Sequence, residues 1–161
     1  MKIYKKHLND IDINENASSV IVFPTSLYDC EKLDANSMLL KAAKINPRTI
    51  GLLRNYINNK VVDVGNSFTT NFKAGVKISF LVVSYNIGNK INKPDDRRID
   101  YEFLYTSLIN LCNDCLGLRI TKMSVYMDDF KLLGCDLSIL EAMIRAIFSN
   151  IPFSITLIYG E

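Results

Sequence analysis

The segment Leu118–Tyr159 constrains the fold of this chain more than any other. Its run Ile120–Met127 (ITKMSVYM) alternates apolar and polar residues and reads as a strand. A polar turn, Asp128–Lys131, leads to the amphipathic stretch Asp136–Asn150, and the segment closes on the apolar Phe153–Tyr159. A strand that returns through a helix to a second strand is a βαβ unit, whose crossover is nearly always right-handed. Ligands of open α/β sheets gather where the chain leaves the carboxyl end of a strand. Asp128–Gly134 is therefore the first place to look for a site.

Size and composition agree with that architecture. A chain of 161 residues has room for one α/β domain and not for two, so residues 1–161 are expected to form a single domain. Hydrophobic residues at 48% and charged residues at 22% suit a soluble protein with a real core. No apolar run approaches the ~18–20 residues of a membrane span. The N-terminal MKIYKKHLND has basic residues but no apolar region behind them, so no secretory signal is read and the expected location is cytoplasmic. A net charge of +2 with no Trp gives no global basic field, which disfavours nucleic acid as a partner.

The four cysteines are Cys30, Cys112, Cys115 and Cys135. Cys112 and Cys115 form a CxxC, but they fall on the apolar stripe of Leu104, Leu108 and Leu111, and no second CxxC accompanies them. His7 is the one histidine, so neither a metal site nor a Cys/His catalytic pair is expected. The thiols read as small buried hydrophobes, and no cofactor is expected.

Along the chain, Lys2–His7 reads as a short strand and Ser18–Pro24 as a buried one closed by its proline. Helices are expected over Asp34–Ile45 and Arg48–Ile57, separated at Asn46–Pro47. Lys60–Val64 and Ser67–Phe72 read as a hairpin across Gly65–Asn66, followed by a strand at Val76–Tyr85. Asn86–Arg98 reads as an exposed loop, and a helix over Asp100–Cys115 is expected to stop at Gly117. The sum is an α/β domain with a mixed sheet of six to seven strands and helices on both faces.

Some residues have both a chemical and a structural reading. Asp128 and Asp129 end a strand, where a carboxylate could act as a general base or simply cap the next turn. Ser138-x-x-Glu141 looks like a capping box, with Asp136 competing as the cap. Thr25 and Ser26 follow a buried strand and could bond a ribose or phosphate. Phe130 stands in a polar loop, where it could stack on a base or plug a cleft. Lys131 could offset the two carboxylates beside an anionic ligand.

The order of elements resembles a macrodomain, the ADP-ribose-binding α/β/α module. The stretches that carry the likeness are Val20–Pro24 with Thr25–Leu33, then Ile78–Tyr85, and then Asn92–Lys93–Pro94 before Asp100–Leu108. Ser124–Tyr126, Met127–Cys135, Asp136–Asn150 and Ile155–Tyr159 complete it. The likeness is to the branch that removes ADP-ribose from acidic side chains or DNA bases. It implies a three-layer fold and a ligand, ADP-ribose or a related nucleotide, at Ser19, Thr25, Ser26, Asn36, Phe130, Lys131, Gly134 and Tyr159.

Departures from the family pattern fall at the chemistry. The loop that resembles the family's glycine-rich phosphate loop, Met127–Gly134, has one glycine and two aspartates. Leu133 stands where the family's catalytic aspartate would fall, and Lys32 is out of register in a turn without glycines. The resemblance therefore implies a pseudoenzyme that binds without efficient hydrolysis. Two alternatives are a protein–protein interaction module with a vestigial cleft, and a hydrolase using Asp128 or Asp129.

Overall fold

The structure, a computed structural model, describes residues 1–7, 19–27, 47–73, 75–85 and 99–160. Six strands form one sheet: β1 (Lys2–His7), β2 (Ser19–Ser26), β3 (Ser67–Lys73), β4 (Val76–Ser84), β5 (Lys122–Tyr126) and β6 (Ser154–Tyr159). Four helices accompany them among the described residues: α1 (Pro47–Asn58), α2 (Tyr101–Gly117), α3 (Met127–Lys131) and α4 (Leu137–Phe148). The strand order is β1-β6-β5-β2-β4-β3, with every pairing parallel except the β3–β4 hairpin. The sheet is thus mixed, as the sequence pattern requires.

Strand alternation divides the core in two. Val20 and Val22 of β2 pack with α2 and α4, through Leu104, Leu108, Ile144 and Phe148. Ile21 and Phe23 point the other way, into a cluster with Leu53 of α1, Ile78 and Phe80. Because β2 is covered on both faces, all eight of its residues are buried and its centre, Val20–Pro24, is a continuous apolar run. The result is three layers, α/β/α. In α4 the buried residues Leu140, Ile144 and Phe148 recur every four positions, the spacing of one helical face.

Local chemistry corrects four sequence expectations. Lys60–Val64 is not a strand: Lys60 adopts a left-handed φ of 59° and the N–H of Val61 bonds back to the Tyr56 carbonyl, so the segment caps α1. Asp63 and Asn66 side chains then accept from the Val64 and Asp63 N–H groups, closing a turn where a hairpin strand was expected. Pro24 does not end β2, which runs on to Ser26. Pairing with β5 stops at Val22, so beyond it β2 has a neighbour only on the β4 side, a setting that tolerates proline. Gly117 is the last residue of α2 and not the C′ residue beyond it; Leu118 is the C-cap and Arg119 takes the left-handed φ of 56°. The expected turn Asp128–Lys131 lies instead in the short helix α3. The helix expected over Asp34–Ile45 and the loop 86–98 lie outside the described residues.

Asp136, not Ser138, is the N-cap of α4, and its carboxylate accepts from both the N–H and the hydroxyl of Ser138. No described helix is long and apolar enough to cross a membrane.

Candidate functional site at the carboxyl edge of the sheet

Five parallel strands place their carboxyl ends on one edge, at His7, Ser26, Ser84, Tyr126 and Tyr159. The chain leaving β2 goes on to α1 on one face and to β3 and β4 on one side. The chain leaving β5 goes on to α4 on the other face and to β6 on the other side. The two connections diverge between the ends of β2 and β5, which makes this edge the switch point, the place where open α/β sheets bind ligands in a crevice.

Polar groups concentrate at this edge. Among the described residues the buried polar ones are Ser19, Thr25, Ser26, Ser79, Ser84, Ser107 and Asp129, and four of these seven (Thr25, Ser26, Ser84 and Asp129) stand at or just beyond the carboxyl ends of β2, β4 and β5. Burying a polar group costs free energy unless it finds a partner, so such a concentration is expected at a site and not in a packing core. Past the strand ends, the Leu27 N–H bonds to the Ser84 carbonyl at 2.9 Å, extending the contact of β2 with β4.

The segment after β5 is held firmly. The Ile99 N–H bonds to the Leu133 carbonyl at 2.9 Å, and the Asp136 N–H donates to the Tyr101 hydroxyl at 2.9 Å. One wall of the crevice is therefore stitched to the start of α2. Gly134, exposed with a φ of 79°, makes the turn between α3 and α4.

The residues singled out in the sequence have distinct surroundings. Thr25 and Ser26 are fully buried at the end of β2, and the Thr25 hydroxyl donates to the Ser26 carbonyl at 3.5 Å. Asp129 is buried in α3, near enough to Tyr126 to help raise its phenol. The Asp128 carboxylate accepts from the Gly160 N–H at 2.7 Å. Lys131 is exposed at the end of α3. Tyr159 pairs with His7 and packs against the α2–α4 core; burial, then Glu141, raises its hydroxyl above the usual tyrosine range. Asn36 lies outside the described residues.

Two expectations are corrected. Ser19 opens β2 at the opposite edge, paired with Lys122, and seven residues of strand put it ~20 Å from Ser26. It is too far to share a ligand with the carboxyl edge. Phe130 is fully buried among Met127, Leu133 and Leu140, so its ring belongs to the core and is not available to stack on a base.

Tyr126 was not singled out in the sequence, yet it stands at the crevice, 5% exposed, with its ring stacked on Phe23 at 6.3 Å. An aromatic residue closing a strand that alternates polar Lys122 and Ser124 with apolar Met123 and Val125 was the available signal. Among the described residues no group of three or more His, Cys, Asp or Glu side chains converges as a metal site.

No family model and no curated protein matches the sequence. Solved structures do match. The macrodomain of Mycobacterium tuberculosis DarG is similar with a TM-score of 0.72 at 14% identity, over 98% of this chain and 97% of that one. A macrodomain protein from Streptomyces coelicolor is similar with a TM-score of 0.73 at 12% identity, over 98% of each chain. Thermosipho africanus DarTG, solved in complex with ADP-ribose, is similar with a TM-score of 0.68 at 7% identity, over 87% of this chain and 37% of that longer one.

Proposed function

This chain has the macrodomain fold, and from that premise we propose that it binds ADP-ribose or a closely related nucleotide in the crevice between β2 and β5, without efficient hydrolysis. The observation that carries the reading is the cluster of buried polar residues, Thr25, Ser26, Ser84 and Asp129, at the switch point of the sheet. The ADP-ribose complex of the Thermosipho protein supports the choice of ligand.

Two observations speak for binding over turnover. Leu133, where the resemblance would put a catalytic aspartate, is 1% exposed and part of the core. Asp128 already accepts a backbone hydrogen bond from the Gly160 N–H, so its carboxylate is engaged in holding the fold together.

The test is calorimetric titration of the protein with ADP-ribose, with ADP and NAD as controls, and a parallel assay for release of ADP-ribose from modified protein or DNA. Saturable, ADP-ribose-selective binding with no release is the expected result. Absence of heat at millimolar ADP-ribose would overturn binding, and release at enzymatic rates would overturn its non-hydrolytic character.

A further inference from the structure

On the α1 face of the sheet, four aromatic rings form a ladder across four neighbouring strands. Phe68 of β3 lies 6.5 Å from Phe80 of β4, Phe80 lies 5.5 Å from Phe23 of β2, and Phe23 lies 6.3 Å from Tyr126 of β5. Successive interplanar angles of 29°, 18° and 16° keep the rings nearly parallel. Three of the four are phenylalanines, and packing alone would be served by a fourth.

The fourth carries a hydroxyl. Tyr126 is 95% buried (5% exposed), and among the described residues its hydroxyl has no hydrogen-bond partner. The hydroxyl of Tyr101, by contrast, accepts from the Asp136 N–H. A buried hydroxyl without a partner costs stability, so a tyrosine here works against the folded state unless something else supplies the bond.

The position of the ring says where that partner comes from. Tyr126 is the last residue of β5, at the mouth of the crevice, and the Asp129 carboxylate just beyond the strand influences its phenol. The ring therefore stands at the carboxyl edge of the sheet and not in its middle. Burial first, and Asp129 second, push the phenol far above its usual range, so it keeps its proton and can only be useful as a donor or a neutral acceptor.

We propose that the Tyr126 hydroxyl donates a hydrogen bond to an oxygen of the ligand in this crevice, on a ribose or on the diphosphate. This inference rests on the nucleotide-binding reading of the same crevice. It adds a contact residue whose ring belongs to the core and whose hydroxyl belongs to the site.

The experiment compares wild-type protein with Tyr126→Phe, which keeps the ring and removes only the hydroxyl. Two quantities are read: the thermal midpoint without ligand, and the dissociation constants for ADP-ribose and for ADP by calorimetry. The expected result is a midpoint equal to or above that of wild type, with ADP-ribose affinity about tenfold weaker, as for one lost hydrogen bond to the ligand. An equal loss for ADP and ADP-ribose assigns the contact to the part that the two share; a loss for ADP-ribose alone assigns it to the distal ribose. Unchanged ADP-ribose affinity in the variant overturns the inference while leaving the site intact. A midpoint lowered by several degrees overturns it too, because the hydroxyl would then have an internal partner. A wild-type protein that fails to bind ADP-ribose is a distinct outcome, removing the reading of the site and this contact with it.

Discussion

The Asp128 carboxylate accepts a 2.7 Å hydrogen bond from the Gly160 N–H, so one contact ties α3 to the chain just beyond β6. The residues lie 32 positions apart, and a bond from a backbone N–H to a carboxylate is stronger than a neutral one. Asp128→Ala is expected to destabilise the fold by about 2 kcal/mol, and Asp128→Asn by less, because the amide oxygen can still accept. Urea denaturation measures both. Equal stability of the alanine variant and wild type would show that the contact contributes nothing.

Phe130 and Lys131 are neighbours in sequence with opposite surroundings. Phe130 is fully buried, so Phe130→Ala should cost about 3–5 kcal/mol through lost burial and the cavity left behind. Lys131 is exposed, and Lys131→Ala should fall within about 0.5 kcal/mol of wild type. Chemical denaturation of the pair checks this, and near-equal values would contradict the placement of Phe130 in the core.

Acid should weaken a contact between β1 and α4. The Glu141 carboxylate accepts from Arg145 at 2.9 Å and pairs with Lys5 at 3.4 Å. The hydrogen bond from Arg145 is the main cause that holds its carboxyl below the usual value; partial burial opposes it and Lys5 assists. Because the folded value lies below the unfolded one, the stabilisation is fully present above the reference value of 4.5 and is lost as the pH falls through the lower, folded value. Glu141→Gln should therefore be less stable than wild type at neutral pH, and the difference should close as the pH is lowered below 4.5. Urea midpoints across pH read this directly; a gap that persists in acid would contradict it.

Three thiols should be inert. Cys112, Cys115 and Cys135 are free and buried, and burial pushes Cys115 and Cys135 up to about 12. Since the thiolate is the reactive form, a thiol reagent at pH 8 should titrate at most one of the four cysteines rapidly in the native protein, and all four after denaturation. Rapid modification of two or more in the native state would contradict the packing.

Much of the fold was legible because periodicity reports burial. β2 and β4 announce themselves as apolar runs because they are covered on both faces, and α4 because Leu140, Ile144 and Phe148 share one face. Lys60–Val64 misleads because its three valines favour a strand, while the cap of α1 and the Asp63 and Asn66 side chains bend the backbone otherwise. Asp128–Lys131 misleads in the same way: polar composition suggests a turn, but Met127 and Phe130 bury three residues apart and draw the segment into a helix.

The site was less legible, because it depends on contacts between distant segments. Which end of β2 faces the crevice follows from the parallel sheet, and that separates Thr25 and Ser26 from Ser19. The Asp128–Gly160 bond joins two segments whose proximity no local pattern encodes. The Tyr126 hydroxyl is informative only through the lack of a partner among the described residues, a property of the folded chain and not of the residue.

A structure of the protein crystallised with ADP-ribose tests the central claim most directly. The account predicts the nucleotide lodged between the carboxyl ends of β2 and β5, against Thr25 and Ser26, with an oxygen within hydrogen-bonding distance of the Tyr126 hydroxyl. Nucleotide bound elsewhere on the surface, or an empty crevice at saturating ADP-ribose, would contradict it.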